Sequence, residues 1–490
     1  MTRPPDFCPH LIATLYARHM PSCLFSLARI GAIAVFALAA PLSYAKQAST
    51  LSRPITPIVI EDIGKGTATL NGPCQFQVGD DPAWAGPGFD SSDWERIATD
   101  RPWGKQGHAR QTGFAWYRCK IALTPALGIP PQFSLLMPKV DDAYEIYWNG
   151  SLIGSNGNFQ PRVAWYFSRP AQIFELGKVH SGVLAVRVWK APLLYNGVGE
   201  AGGFEAAPLI GSPEDIAAVK AAFDFQRLRG REFLYGENLL CALVALLSFL
   251  LWLRNPTRWL LFWLTCFALA PPLQFLLLNT QTRWPYVLVM GASQLRSAVR
   301  DVSLWFLLLW LLALHENRAV ARFTRVLACI CLANGALDGM LVAFSWKPQW
   351  VRLVQAADLV SIFFGTLLAA FPLILASYAI LQRKQLDSTR CLVVVSAFLD
   401  EIIFTVRDAV KQGRGFGDWP IASSIDSPAF TILGSPVYLY TLSETFLLGA
   451  LVYGVYISVR KDQLRQDTLE YARRDGQLAS RWDATERGPD

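Results

Sequence analysis

Two rhythms divide this chain. From Ile55 to about Gly211, apolar and polar residues alternate over short runs bounded by Gly, Pro, Asn and Asp, which is the pattern of half-buried strands joined by turns. In "FAWYRCKIAL" (114–123), Tyr117, Cys119, Ile121 and Leu123 fall on one face and Arg118 and Lys120 on the other. In "GVLAVRVW" (182–189), Leu184, Val186 and Val188 alternate with Arg187. "DDAYEIYWNGSLIGSNG" (141–157) puts Tyr144, Ile146 and Trp148 opposite Glu145 and Tyr147, then turns at Asn149-Gly150. That dipeptide is a strong hairpin signal, because both central turn positions need positive φ. The same turn accounts for the match of Asn149-Gly150-Ser151 to a glycosylation sequon.

Beyond residue 233 alternation gives way to apolar runs of membrane-spanning length. Seven spans are expected, at about 234–253, 258–278, 294–314, 324–344, 356–381, 391–409 and 436–458. The third carries Arg296, Arg300 and Asp301 in its first turns. Before them lies a polar, helix-favouring linker (213–233). Behind Arg29, an apolar run from Ile30 to Ala40 ends in small residues at Ala45, which predicts a secretory signal peptide over 1–45, with Met20 as an alternative start. The expected order is a signal peptide (1–45), an exported all-β sandwich (46–212), the linker, a seven-helix membrane domain (234–459) and a cytoplasmic helical tail (460–490). Compact basic segments such as "RNPTR", "HENRAVARFTR" and "QRKQLDSTR" fall on the expected inner side and place the C-terminus in the cytoplasm of a bacterial inner membrane.

Composition agrees with this division: 52% of the residues are hydrophobic and only 17% are charged, a balance outside the soluble norm. The net charge of +7 is spread along the chain without a basic stripe, so no nucleic-acid partner is expected. Of nine cysteines, two fall in the leader and five in apolar helical runs. Cys74 and Cys119 remain as a disulfide candidate in an exported domain.

The ordered landmarks "PGFDSSDWERI" (87–97), "GFAWYRCKIAL" (113–123), "VDDAYEIYWNGSLIG" (140–154) and "SGVLAVRVWK" (181–190) resemble the sugar-binding jelly-roll domain of family 2 glycoside hydrolases, a galactose-binding-like sandwich. The resemblance covers roughly residues 70–210 and implies a fold; in that family the chemistry is done on a separate barrel domain. A sandwich of this kind followed by seven spans is similar to the bacterial seven-transmembrane receptors with diverse intracellular signalling modules. The resemblance implies a receptor for an extracytoplasmic ligand. In that family the last helix leads into an enzymatic output domain, whereas here 31 residues follow Val459.

Enzymatic chemistry finds no support. Adjacent Asp141 and Asp142 at the head of a strand would point to opposite faces, unlike the facing carboxylates of a glycosidase. The five histidines lack zinc-ligand spacing, and "GRGFG" (413–417) reads as a connector between helices. No cofactor or metal is expected. The candidate ligand site, for a carbohydrate or another small molecule, is the loop "GNFQPRVAWYF" (157–167) with a nearby ring: Trp148, Asn158, Arg162 and Trp165. Against this stands the reading of these rings as ordinary core. Asp338, Asp358, Asp400 and Glu401 lie inside apolar helices, as helix–helix ties or as a solute path, with Arg300, Arg352 and Arg407 as possible partners. In the tail, Leu464, Tyr471 and Leu478 recur every seven residues, as a seam for self-association or a cytoplasmic partner, or as part of a solvated tail. A transporter with a substrate-capturing domain and a membrane-tethered carbohydrate-binding module are the alternatives to a receptor.

Overall fold

The computed structural model describes residues 57–486, apart from 64–65, 126–131, 161–162, 165–170, 179–180, 193–200, 280–283, 345–346, 383–386, 412–426 and 433. The leader and its signal peptide therefore lie outside the described residues.

Strands come first: β1 (Ile58–Ile63), β2 (Thr67–Thr69), β3 (Cys74–Val78), β4 (Glu95–Ile97), β5 (Gly113–Pro125), β6 (Gln132–Met137), β7 (Val140–Asp141), β8 (Ala143–Trp148), β9 (Ser151–Asn156), β10 (Gln172–Lys178), β11 (Ser181–Lys190), β12 (Gly203–Phe204) and β13 (Leu209–Gly211). The larger sheet runs β4-β3-β5-β11-β8-β9, with β1 added parallel to β5. The smaller runs β10-β6-β13-β2. Between the two sheets lie Tyr117, Cys119, Ile121, Tyr144, Ile146, Trp148, Leu184, Val186 and Val188 from the one, and Phe133, Leu135 and Ile210 from the other. The alternation read from the sequence thus sorts the core. At the hairpin between β8 and β9, Asn149 and Gly150 both take positive φ, 48° and 84°. The Asn149 side chain accepts a hydrogen bond from Val183 N at 2.8 Å, which stitches the turn to β11.

Cys74 and Cys119 are bonded, with Cα atoms 4.7 Å apart. The register of β3 on β5, with Gln75 opposite Arg118 and Phe76 opposite Tyr117, brings the two cysteines face to face. The bridge therefore ties neighbouring strands of one sheet rather than one sheet to the other.

The helices follow: α1 (Pro213–Arg229), α2 (Glu232–Arg254), α3 (Trp259–Asn279), α4 (Tyr286–Leu311), α5 (Arg318–Phe344), α6 (Val351–Ala369), α7 (Phe371–Leu381), α8 (Ser388–Lys411) and α9 (Leu439–Glu486). Ser212 caps α1 by accepting from Asp215 N, and Pro213 opens the helix, a pairing that satisfies a free N–H and supplies helical φ. A short hairpin, β14 (Phe430–Ile432) with β15 (Ser435–Val437), precedes α9.

Five helical segments are long and apolar enough to cross a membrane: Glu232–Arg254, Trp259–Leu277, Arg318–Leu341, Val351–Leu381 and Leu439–Thr468. The chain is a multi-pass membrane protein. The other two expected spans do form helices, α4 and α8, but fall below that apolar threshold. Arg296, Arg300 and Asp301 in α4, and Arg390, Asp400, Glu401, Arg407, Asp408 and Lys411 in α8, account for the shortfall. Both are nonetheless packed among the others. Trp305, Leu307 and Leu308 of α4 and Val393, Val394 and Phe398 of α8 belong to one continuous apolar core with α2, α3, α7 and α9. The fifth expected span is divided between α6 and α7, where Pro372 in the first turn of α7 offers no N–H to continue the α6 ladder.

Candidate functional site, from the sandwich to the helix ends

The outer face of the larger sheet carries charge, and most of that charge is covered. Segment 82–94 folds over it, with Ala85 and Trp94 packed on Trp116 and Ala185. Beneath it Arg118 is 1% exposed. Its guanidinium donates to the carbonyls of Trp84, Gly86 and Phe89 and to Ser91 Oγ. Burial lowers its pKa, and the ring of carbonyl dipoles stands in for water around the charge. Farther along the face, Arg187 is paired with Asp80 at 2.5 Å and Glu145 at 2.9 Å. The rings of Phe114 and Phe159 each have their centroid 4.8 Å from its guanidinium, close enough for cation–π attraction. Burial acts against the Arg187 charge, but Asp80 and Glu145 outweigh it and hold the group above its ordinary pKa.

A second cluster sits at the end of β11. Lys190 Nζ lies 3.6 Å from Asp141 and 3.5 Å from Asp142. Lys139 reaches Asp141 at 3.6 Å and also pairs with Glu205. The expectation that Asp141 and Asp142 point apart is therefore corrected. Asp142 lies between β7 and β8 rather than inside a strand, so alternation does not govern it. Both carboxylates converge on Lys190. Burial works against the Lys190 charge, yet Asp142 and Asp141 hold its pKa up.

Beyond Arg187, the outer face ends in an apolar seam. Ala143, Phe159, Val163, Trp189 and Ala191 pack with Val354 of α6, and Phe114 joins them beside Val287 and Met290 of α4. The sandwich thus rests directly on the first turns of two helices. Beside this seam, the β14–β15 hairpin before α9 approaches the end of α1 and the start of α2. Ser435 in β15 donates to the Glu232 carboxylate at the start of α2, and a Cβ added at Gly434 would come within 2.6 Å of the Arg229 guanidinium.

The predicted ligand residues do not assemble into one surface. Trp148 is 6% exposed, a member of the sandwich core, with its ring against Gly182. Asn158 is exposed, its Oδ1 accepting from Gln160 N. Its neighbour Phe159 enters the seam, so this loop lies where sandwich meets helices. Arg162 and Trp165 lie outside the described residues.

Of the four acids expected inside apolar helices, Asp338 accepts a hydrogen bond from Ser361 of α6, which also contacts Asn334 at 3.1 Å. Asp358 is buried at 2% exposure and has partners. Asp400 accepts from Ser443 Oγ at 2.9 Å and faces Arg300 at 3.4 Å. Glu401 is buried beside Asp301, Asp400 and Arg300. Of the expected partners, Arg300 is used. Arg407 lies over the Tyr440 ring at 3.6 Å, and Arg352 is exposed. Glu237 and Glu444 join the same group but escaped the sequence reading. A scan of every acid inside an apolar run, "EFLYGENLLC" and "LSETFLL" included, finds them. Among the described residues, no cluster of His, Cys, Asp and Glu is suited to a metal ion.

No protein-family description and no curated protein matches the chain. Solved structures similar to part of it include a Bacteroides uniformis β-glucuronidase, at 24% identity over 29% of this chain and 17% of that one, with a TM-score of 0.24. A glycosyl hydrolase family 2 member from Bacteroides cellulosilyticus is 14% identical over 30% of this chain and 20% of its own, with a TM-score of 0.25. A Faecalibacterium prausnitzii β-glucuronidase is 18% identical over 30% of this chain and 31% of its own, with a TM-score of 0.23. The chain thus spans less than a third of the length of each of these enzymes.

One pH dependence follows from the tyrosines of the sandwich. Burial pushes up the hydroxyls of Tyr117 and Tyr144, and burial with Glu145 alongside pushes Tyr147 up to about 12. In an unfolded chain tyrosine ionises near about pH 10. Between those values the folded state keeps protons that the unfolded state has lost. Stability is then complete below about pH 10 and falls as pH rises, by about 1.4 kcal/mol per unit for each fully buried tyrosine. Urea unfolding of a fragment of residues 46–212 should show its midpoint dropping steeply above about pH 10. A flat profile up to about pH 11.5 would contradict this burial.

Proposed function

We propose that this protein is a membrane receptor. Its sandwich lies outside the bacterial inner membrane and senses a ligand, and its helices carry the change to a cytoplasmic partner or a second copy at the tail. The observation that carries this reading is the apolar seam, in which Phe159 and Trp189 of the sandwich pack against Val287, Met290 and Val354 at the starts of α4 and α6. A rearrangement of the sandwich at this seam bears directly on those helix ends. The reading takes α4 and α8 as crossing the membrane with the other five, supported by their place within the shared apolar core. The sandwich meets the starts of α4 and α6, and the β14–β15 hairpin that leads into α9 meets the start of α2; an alternating seven-pass path puts all of these ends on one side.

At the far side α9 continues without interruption. It is a single helix of 48 residues, about 70 Å long at 1.5 Å per residue, against a hydrocarbon core of about 30 Å. Leu464 is exposed on its projecting part, and Tyr471 shares that helix. The ligand carried forward is a small polar molecule, a carbohydrate among them, that engages the loop at Asn158 and so acts on Phe159 beside it.

The test places single cysteines along 460–475 in full-length chains lacking other free thiols, in native membranes. Crosslinking between copies, or protection from a soluble maleimide, should recur with helical period. Phe159→Ala should change the rate at the most protected positions about fivefold or more. Uniform reactivity along the segment, or a pattern blind to Phe159→Ala, would sink the receptor reading.

A further inference from the structure

Within the helices one side chain touches three elements at once. Arg300 of α4 lies 3.4 Å from Asp400 of α8, 3.3 Å from Glu444 of α9 and 3.5 Å from Asp301 on its own helix. Its guanidinium also sits 5.3 Å from the Phe267 ring of α3. Ser443 of α9 donates to the other oxygen of Asp400 at 2.9 Å, so α8 and α9 are joined twice at this level. Charge inside a membrane bundle is costly and is usually retained for a purpose. The contacts are longer than the roughly 2.7–2.9 Å of a tight charge-assisted bond. One guanidinium is shared among three carboxylates, so its weight can move from one to another without any of them being stranded.

We propose that Arg300 is a latch holding the output helix α9 to α4 and α8, through which a displacement at the sandwich seam reaches the tail. Met290 of the seam and Arg300 belong to the same helix, about 15 Å apart along its axis at 1.5 Å per residue. A shift or rotation of α4 at its outer end is delivered to Arg300 as a rigid-body movement. Of the three carboxylate contacts, those to Asp400 and Glu444 cross to other helices and the one to Asp301 does not. The inference rests on the receptor reading and assigns it a route.

Isosteric neutralisation tests the route while leaving Arg300 other carboxylates. Glu444→Gln and Asp400→Asn are each placed in the full-length tail-cysteine chains in native membranes, with Phe159→Ala as the seam control. The labelling rate at protected tail positions should change about fivefold or more for the first two. Folded Glu444→Gln and Asp400→Asn chains with the parental tail pattern overturn the latch. Loss of the folded chain in both variants overturns it too, by making the contact a structural tie. If Phe159→Ala alters the tail and neither neutralisation does, the latch fails and the receptor reading survives. If the neutralisations alter the tail and Phe159→Ala does not, Arg300 ties the tail to the bundle but carries nothing from the seam, and both the route and the receptor reading fail.

Discussion

Arg118→Met should cost the sandwich about 3–5 kcal/mol. The substitution keeps much of the apolar stem but leaves the carbonyls of Trp84, Gly86 and Phe89 and the Ser91 hydroxyl without the donor they share. A buried acceptor stranded in this way costs about 1–3 kcal/mol. Water entering under segment 82–94 would recover part of that. The same guanidinium lies 5.5 Å from the Phe89 ring, so the fold of the segment over Trp116 should loosen as well. Urea unfolding of the 46–212 fragment, followed by tryptophan fluorescence, measures the loss. A change below about 1 kcal/mol would mean that Arg118 is no more than a solvated face residue.

The paired replacement Cys74→Ala and Cys119→Ala should destabilise the same fragment by about 4 kcal/mol. The bridge joins residues 45 apart in sequence, and opening a loop of that size releases chain entropy to the unfolded state. Both side chains are buried in the core, so the alanines also remove some packing. Denaturant midpoints of the oxidised parent, the reduced parent and the double variant give the measure. Reduced parent and variant should agree to within about 1 kcal/mol. A variant as stable as the oxidised parent would show that the bridge restrains nothing that the sheet does not already restrain.

The sandwich was legible because a strand has a period of two. Tyr117, Cys119 and Ile121, or Leu184, Val186 and Val188, must share a face whatever the strands pair with, and they do fill the core. Asn149-Gly150 was legible because few dipeptides tolerate positive φ at both positions. The apolar runs marked the helices for a comparable reason, since crossing about 30 Å of hydrocarbon requires about 20 apolar residues.

What the sequence could not supply was the fate of the opposite faces. Alternation places Arg118 and Arg187 outward, toward water. The 82–94 segment covers the first and Asp80 with Phe159 encloses the second, contacts between residues far apart in the chain. Trp148 illustrates the converse: as an aromatic on a strand it suited either platform or core, and the packing of the second sheet put it in the core.

By itself the sequence determined where strands, turns and apolar helices form, because those depend on local periodicity, backbone preference and length. Only the tertiary structure decided that the loop at Asn158 and Phe159 is the seam with the helices, that Asp141 and Asp142 share Lys190, and that Arg300 gathers acids from three helices. A buried charge is stabilised by whichever partners the fold brings within a few ångströms, and no periodicity along the chain encodes who those partners are.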